Sequence, residues 1–277
     1  MVVYIGTQGF PASSRGNSLE AGLKRLNELG LNALELDFAH GIYLSMEESR
    51  YLGILAEKLG IRLSIHAPYY INLCSEDRDV IRRSRYRILE CVERGEAMHA
   101  DIVAVHSAFY GKRSKEEAYA IVRAGYESIV DEMKSRGIRN VRLGAETMAR
   151  KNQFGTLDEV MRLYKDLNGW VRPYVDFAHI FARNDGRIDY TNIIDRLHDA
   201  GLEYINAHFT GLARKGYRYV DVHRPIGEPQ FEPLALEIIR RKLNMTIICE
   251  SPLLELDCLR MRNILEFMSM ELGIDLI

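Results

Sequence analysis

Ile102-Val103-Ala104-Val105-His106 is a short apolar run, rich in β-branched residues, that ends in a histidine. A segment of helical period follows, running through Tyr126 to a stop near Gly137. Arg142-Leu143-Gly144-Ala145-Glu146 then repeats the plan, an apolar run closed by an ionisable residue. Its helix starts near Thr156, where Thr156 and Glu159 have the spacing of a capping box. The same strand–loop–helix unit recurs outward in both directions. Upstream are Val2–Gly6 with a helix from Ser18 to Leu29, Ala33–Asp37 with a helix from Met46 to Leu59, and Arg62–His66 with a helix through Arg87 and Met98. Gly30 and Gly60 stop the first two helices. Downstream, Tyr174–Asp176 leads to a Tyr190–His198 helix, and Tyr204–His208 to a Phe231–Arg241 helix. Met245–Glu250 leads to a last helix from Asp257 to Leu272. Eight such alternations predict an α/β fold: one domain over residues 1–277, its strands closed into a (β/α)8 barrel. An open doubly wound sheet calls for a glycine-rich phosphate loop after an early strand, and Gly6-Thr7-Gln8-Gly9 does not match GxGxxG.

Composition sets limits. The 277 residues carry a formal charge of −2, and 47% are hydrophobic, as in ordinary soluble domains. No apolar run has the length of a membrane span, so no membrane partner is expected. The N-terminus enters a strand pattern at once, without the basic region of a signal peptide. Cys74, Cys91, Cys249 and Cys258 form no CxxC pair and read as reduced thiols of a cytoplasmic protein, expected to be a monomer. A balanced net charge does not by itself announce a polyanionic partner.

The chemistry lies at the strand ends, where barrels of this kind place their active sites. Six consecutive runs end in His66, His106, Glu146, Asp176, His208 and Glu250. A single strand-end histidine is more often a hydrogen-bonded structural residue, and a single glutamate more often pairs with an arginine. Six around one barrel mouth argue for cations among them. Asp176-Phe177-Ala178-His179 adds His179, and Asp221-Val222-His223 adds two residues that share a face of an extended segment. The nine candidates are five imidazoles and four carboxylates, a donor set suited to zinc more than to magnesium or calcium, with manganese or iron left open at some positions. His99 and His198 fall in helical runs, and His40 lies in the loop after the second strand. Glu35 and Asp37 read as supporting or salt-bridging carboxylates. The Arg82-Arg83-Ser84-Arg85-Tyr86-Arg87 run reads as a helix exterior.

With these residues in place the chain resembles the endonuclease IV family, zinc-dependent apurinic/apyrimidinic endonucleases on a TIM barrel of the xylose-isomerase-like superfamily. The resemblance is carried by His66-Ala67-Pro68-Tyr69-Tyr70-Ile71-Asn72-Leu73, Val105-His106-Ser107, Glu146-Thr147, Asp176 to His179, His208, Asp221-Val222-His223 through Gly227-Glu228, and Glu250-Ser251-Pro252. It implies three zinc ions. His66 and His106 would hold one, and Glu146 would bridge it to a second held by Asp176, His208 and Glu250. His179, Asp221 and His223 would hold the third. It further implies Glu146 and Glu250 as catalytic residues and duplex DNA with abasic sites as partner. Tyr69, Tyr70, Asn72, Arg214 and Lys215 are the expected DNA contacts. Arg150, Lys151, Arg183, Arg218 and Arg224 are further basic residues near the expected mouth. Three stretches depart from the family: Gly6-Thr7-Gln8-Gly9-Phe10-Pro11 lacks its histidine and paired glycines, Phe38-Ala39-His40-Gly41-Ile42-Tyr43 lacks its Asn-Pro-Arg wedge, and His106-Ser107-Ala108 replaces His-Pro-Gly. These mark a divergent, archaeal-type branch. Two other readings stand beside this one: a sugar isomerase or epimerase using Glu146, Asp176, His208 and Glu250 with one or two metals, and a metal-bearing protein that binds DNA lesions without turnover.

Overall fold

The computed structural model describes residues 1–16 and 18–275. In chain order the strands are β1 Val3–Gln8, β2 Ala33–Asp37, β3 Arg62–His66, β4 Ile102–Val105, β5 Ala108–Phe109, β6 Arg142–Glu146, β7 Gln153–Phe154, β8 Val171–Asp176, β9 Ile205–Phe209, β10 Gly211–Lys215, β11 Arg218–Arg224 and β12 Met245–Cys249. The helices are α1 Leu19–Glu28, α2 Met46–Lys58, α3 Arg78–Ala97, α4 Lys115–Ser135, α5 Leu157–Asp166, α6 Phe177–Arg183, α7 Tyr190–Asp199, α8 Glu232–Arg240 and α9 Glu255–Leu272. Eight strands close into a barrel in the order β1-β12-β9-β8-β6-β4-β3-β2. Barrel neighbours such as β1 with β12, β12 with β9, β3 with β4 and β6 with β8 pair in parallel, as crossover helices require. The expected (β/α)8 architecture is therefore the one observed.

Contacts divide the chain into two units, residues 35–174 and residues 1–34 with 175–277. In the first, the barrel runs are buried along their length: Leu63 and Ile65, Val103 and Val105, Leu143 and Ala145. Ile88 and Val92 of α3 and Val122, Tyr126 and Ile129 of α4 are buried as well. Each fully buried aliphatic side chain of this kind contributes about 1.5–3 kcal/mol relative to exposure. In the second unit the buried set is Ile5, Ala207, Ile247 and Ile248 from strands, with Leu23, Leu234, Ile238, Met261 and Leu265 from helices. Phe209 and Phe231 meet edge to face at 5.0 Å. Here Gly6 is required by contact: a Cβ at this position would lie 1.8 Å from the Ala33 carbonyl oxygen.

Helix starts follow the capping residues. Ser45 with Glu48, Ser114 with Glu117 and Thr156 with Glu159 all form reciprocal capping boxes. Gly30 and Gly60 end their helices at φ +67°, a conformation open to glycine without penalty. Several boundaries differ from expectation. β4 stops at Val105 and β12 at Cys249, so His106 and Glu250 sit one residue past their ladders. β8 begins at Val171, with Pro173 in register opposite Ala145 of β6. α9 starts at Glu255, two residues early. His99 is not helical: it takes φ +58° beyond α3, while the Ala100 N–H closes on the Gly95 carbonyl at 2.8 Å. His198 does lie in α7 and is exposed. Arg82, Arg83 and Tyr86 are exposed on α3, as the charged run predicted. None of the four cysteines is in a disulfide. Among the described residues no helix is long and apolar enough to cross a membrane.

Candidate metal centre

In the unit of residues 35–174, three predicted ligands meet. His66 ends β3, Glu146 ends β6, and His106 follows β4. His66 and Glu146 are buried, and His106 is partly open. The Glu146 Oε2 atom lies 3.4 Å from His66 Nε2 and 3.1 Å from His106 Nε2. The His66 Nδ1 atom sits 2.8 Å from the Ala67 carbonyl oxygen. Donation from Nδ1 to that carbonyl fixes the tautomer that turns the Nε2 lone pair towards Glu146. The two imidazoles cross edge to face at 4.9 Å. Behind them, the Ser107 hydroxyl bonds Tyr126 Oη at 2.7 Å, and burial raises the Tyr126 phenol above its usual range.

In the other unit six predicted ligands form a connected set. Asp176 ends β8 and caps α6, its Oδ1 accepting the His179 N–H at 2.6 Å. One carboxylate thereby fixes the first turn of the helix that carries His179, which explains the D-x-x-H spacing. The second carboxylate oxygen of Asp176 is 3.3 Å from His179 Nδ1 and 3.8 Å from His208 Nδ1. β10 and β11 form an antiparallel ribbon, and β11 carries Asp221 and His223. The Asp221 Oδ1 atom lies 3.2 Å from His179 Nε2 and 3.5 Å from His223 Nε2, so the alternate residues of the D-x-H motif do share a face. Glu250 completes the set, 3.6 Å from His208 Nδ1 and 3.8 Å from His223 Nε2.

The spacing distinguishes direct pairing from shared ligation. A charge-assisted N–H···O bond closes to about 2.7–2.9 Å. Two donors on one tetrahedral zinc, each about 2.1 Å from it, stand about 3.4 Å apart. Imidazole–carboxylate distances of 3.1 to 3.5 Å all exceed the first value, and those at His66 and His223 match the second. In the sets His66–His106–Glu146 and His179–Asp221–His223, one donor atom from each residue lies within 4.8 Å of the others. Nitrogen and carboxylate donors at these separations fit a divalent transition metal.

Electrostatics agree. Burial opposes charging of His223, but its contact with the Asp221 carboxylate and the nearby Glu250 and Asp176 charges push its pKa up to about 9. Burial also works against the Asp221 carboxylate, and the two histidines outweigh it, holding Asp221 well below the usual range. Ligation requires neutral imidazole, so metal uptake near neutral pH must expel the His223 proton. Affinity for zinc is therefore expected to rise with pH, by about one log unit per pH unit from this group, and to level off above pH 9. Titration with a competing chelator at several pH values checks this, and a flat profile removes His223 from the ligand set.

Other predicted residues lie as follows. Glu35 is buried and accepts hydrogen bonds from Ser64 Oγ at 2.9 Å and Tyr174 Oη at 2.7 Å. Asp37 turns the chain, accepting the Ala39 N–H, and His40 is exposed. Tyr69 and Tyr70 are 42% and 53% exposed, and the Tyr69 ring lies 5.2 and 5.3 Å from those of His66 and His106. Asn72 organises its loop, its Oδ1 accepting the Cys74 N–H at 3.1 Å and the Phe109 N–H at 3.3 Å. Arg214 and Lys215 are exposed near the tip of the ribbon. One residue escaped the sequence reading: Gln8, at the end of β1, donates from Nε2 to Glu250 Oε1 at 2.7 Å. A lone glutamine carries no signal of its own, although its place at a strand end could have pointed to it.

Comparison with known proteins shows the family of the chain. An uncharacterized protein of Methanocaldococcus jannaschii, MJ0133, is 30% identical over 269 residues, covering 93% of this chain and 94% of its own. A probable endonuclease 4 of Thermoplasma acidophilum is 28% identical over 223 residues, covering 78% and 75%. Among solved structures, a D-tagatose 3-epimerase-like protein superposes with a TM-score of 0.73 at 20% identity, covering 93% and 95%. Endonuclease IV of Thermus thermophilus gives 0.69 at 20% identity, covering 96% and 99%. At these identities the superpositions show the fold alone. Residues 23–261 match the family model described as xylose isomerase-like TIM barrel, and the chain belongs to that family.

Proposed function

We propose that this protein is a metal-dependent phosphodiesterase of the endonuclease IV kind, incising duplex DNA 5′ to abasic sites. The observation that carries the reading is the full nine-residue donor set, with His66, His106, Asp221 and His223 present beside the four residues a sugar isomerase would use. The similarity to a probable endonuclease 4 supports it. Parallel barrels of this kind place their chemistry at strand ends, and the nine donors would hold three zinc ions there. His66, His106 and Glu146 would hold one ion, and His179, Asp221 and His223 another. Asp176, His208 and Glu250 would hold the third.

When bound, such ions supply Lewis acidity towards phosphate oxygens and lower the pKa of an attacking water. The chain's own groups do the rest. Gln8 fixes one oxygen of Glu250, so the other is held to orient that water. The water gives a proton to the remaining oxygen of Glu250 as its own oxygen joins phosphorus in line, the bond from phosphorus to the leaving sugar oxygen breaks, and solvent protonates the departing oxygen. Tyr69 and Tyr70, both exposed, offer rings to the gap left by a missing base.

The ribbon supplies the backbone contacts. Arg214, Lys215, Arg218 and Arg224 all lie on it, and Lys215, Arg218 and Arg224 are exposed along with Arg214. The double substitution Arg214→Ala with Lys215→Ala is expected to weaken binding to damaged and undamaged duplex alike. It should also flatten the dependence of log affinity on log salt by about two units. Fluorescence anisotropy over a salt series measures this, and an unchanged slope takes the two residues off the phosphate path.

The reading is tested by giving one zinc-loaded preparation two substrates: a duplex with a single abasic site, and a panel of ketoses. Incision abolished by chelator, without sugar turnover, is the expected outcome. Ketose epimerisation without incision overturns it, and lesion binding without incision reduces it to a binding protein.

A further inference from the structure

The start of α9 carries two buried acids that the metal centre leaves unused. Glu255 and Asp257 are 5% and 3% exposed, and neither ends a strand. Asp257 Oδ2 accepts the Ile226 N–H at 2.9 Å and also the hydroxyl of Ser251. Arg260, one turn along α9, donates from Nη1 to the Ile226 carbonyl at 3.1 Å. The backbone of Ile226 is thus held at both its donor and its acceptor. Glu255 grips the segment after β1 in the same way, its two oxygens accepting the Ala12 and Ser13 N–H groups at 2.9 and 2.8 Å.

What these acids hold is informative. Ser251 follows Glu250 directly, and Ile226 lies three residues after His223. Ala12 and Ser13 follow β1, whose Gln8 donates to Glu250. Neither residues 225–231 nor residues 251–254 belong to a helix or strand, so no ladder fixes their positions. Buried N–H groups in such segments need acceptors. Here one carboxylate oxygen serves two segments that each begin within two residues of a predicted ligand.

Resting on the reading of Glu250 and His223 as ligands, we infer that Asp257, with Arg260 as its partner, is a positioning residue for the metal centre. It sets the separation of Glu250 and His223 by tying Ser251 and Ile226 to one oxygen atom. Supporting residues of this kind change metal affinity about 10- to 100-fold when lost.

The experiment uses the full chain and zinc alone. Asp257→Ala is expected to weaken zinc at least about tenfold in competition with a chromophoric chelator. It should also speed amide exchange across residues 218–230 of the metal-free protein. Asp257→Asn keeps an acceptor oxygen and is expected to restore both. Arg260→Met, which releases only the Ile226 carbonyl, should give an intermediate loss and carries the test alone where Asp257→Ala does not fold. A merely structural Asp257 would lower the melting temperature and leave zinc affinity at 25 °C unchanged, and that result overturns the inference. Unchanged exchange at residues 218–230 overturns it too. A wild-type chain that takes up no zinc defeats the metal reading instead, and the exchange data still decide whether the clamp exists.

Discussion

Glu250→Gln is expected to reduce incision of an abasic duplex by about a thousandfold or more while the protein stays folded. The change removes a charge and keeps the shape. Glu250 is almost wholly buried, accepts a hydrogen bond from Gln8, and stands within 4 Å of both His208 and His223. A neutral amide there is a poorer ligand and cannot hold a water as a base does. The ribbon and its basic residues are untouched, so affinity for DNA should change little and the loss should fall on the chemical step. Single-turnover incision beside binding titration separates the two. A variant that keeps more than a tenth of the wild-type rate would take Glu250 out of the reaction.

The second large effect is on stability. One unit gathers Asp176, Asp221 and Glu250 among three imidazoles, and the other sets Glu146 between two. An ion that binds only the folded chain, at about a thousand times its dissociation constant, adds about 4 kcal/mol. For a chain of this size that is a rise of about 8–16 °C in melting temperature. Zinc-loaded protein is therefore expected to melt about 10 °C or more above protein stripped with EDTA. Restored zinc should recover the difference and magnesium should not, because imidazole-rich sites disfavour a cation that prefers all-oxygen ligands. Equal melting temperatures for stripped and loaded protein would mean that these residues bind no ion with useful affinity.

Much of this site is legible in the sequence because strand ends are legible. An apolar run closed by His66, Glu146 or Asp176 announces both the barrel and the ionisable ring, since burial makes such residues costly without a partner. The ribbon was harder to see. Asp221-Val222-His223 reads as a short motif in a loop, but β10 and β11 pair with each other outside the barrel sheet and alternate weakly. α6 is hidden for another reason: at seven residues it is too short for a period, and Asp176 serves as strand end, cap and candidate ligand at once. His99 follows a long helical pattern that ends at Ala97 with Met98 as its cap, and only the left-handed turn at His99 sets it apart. Gln8 and Asp257 are invisible for a deeper reason. Their roles come from hydrogen bonds to residues far along the chain, and no local spacing encodes those.

The departures from the endonuclease IV pattern fall where the structure is most informative. The stretch from Gly6 to Pro11 lacks the family's histidine, and Gln8, the last residue of β1, donates to Glu250. The loop after β2, which lacks the family's wedge, leaves Tyr43 more than half exposed and packed edge-on against Phe38. The donor set is complete while the surface that would read DNA differs, so metal content bears on the centre more directly than any substrate assay.

The deciding measurement is the number of metal ions per chain, by elemental analysis of protein loaded with zinc and freed of excess. About three zinc ions per chain is the predicted result, falling when His66 or His223 is replaced by alanine. A chain that retains one ion or none, with every His66 and His223 variant unchanged, would contradict the account.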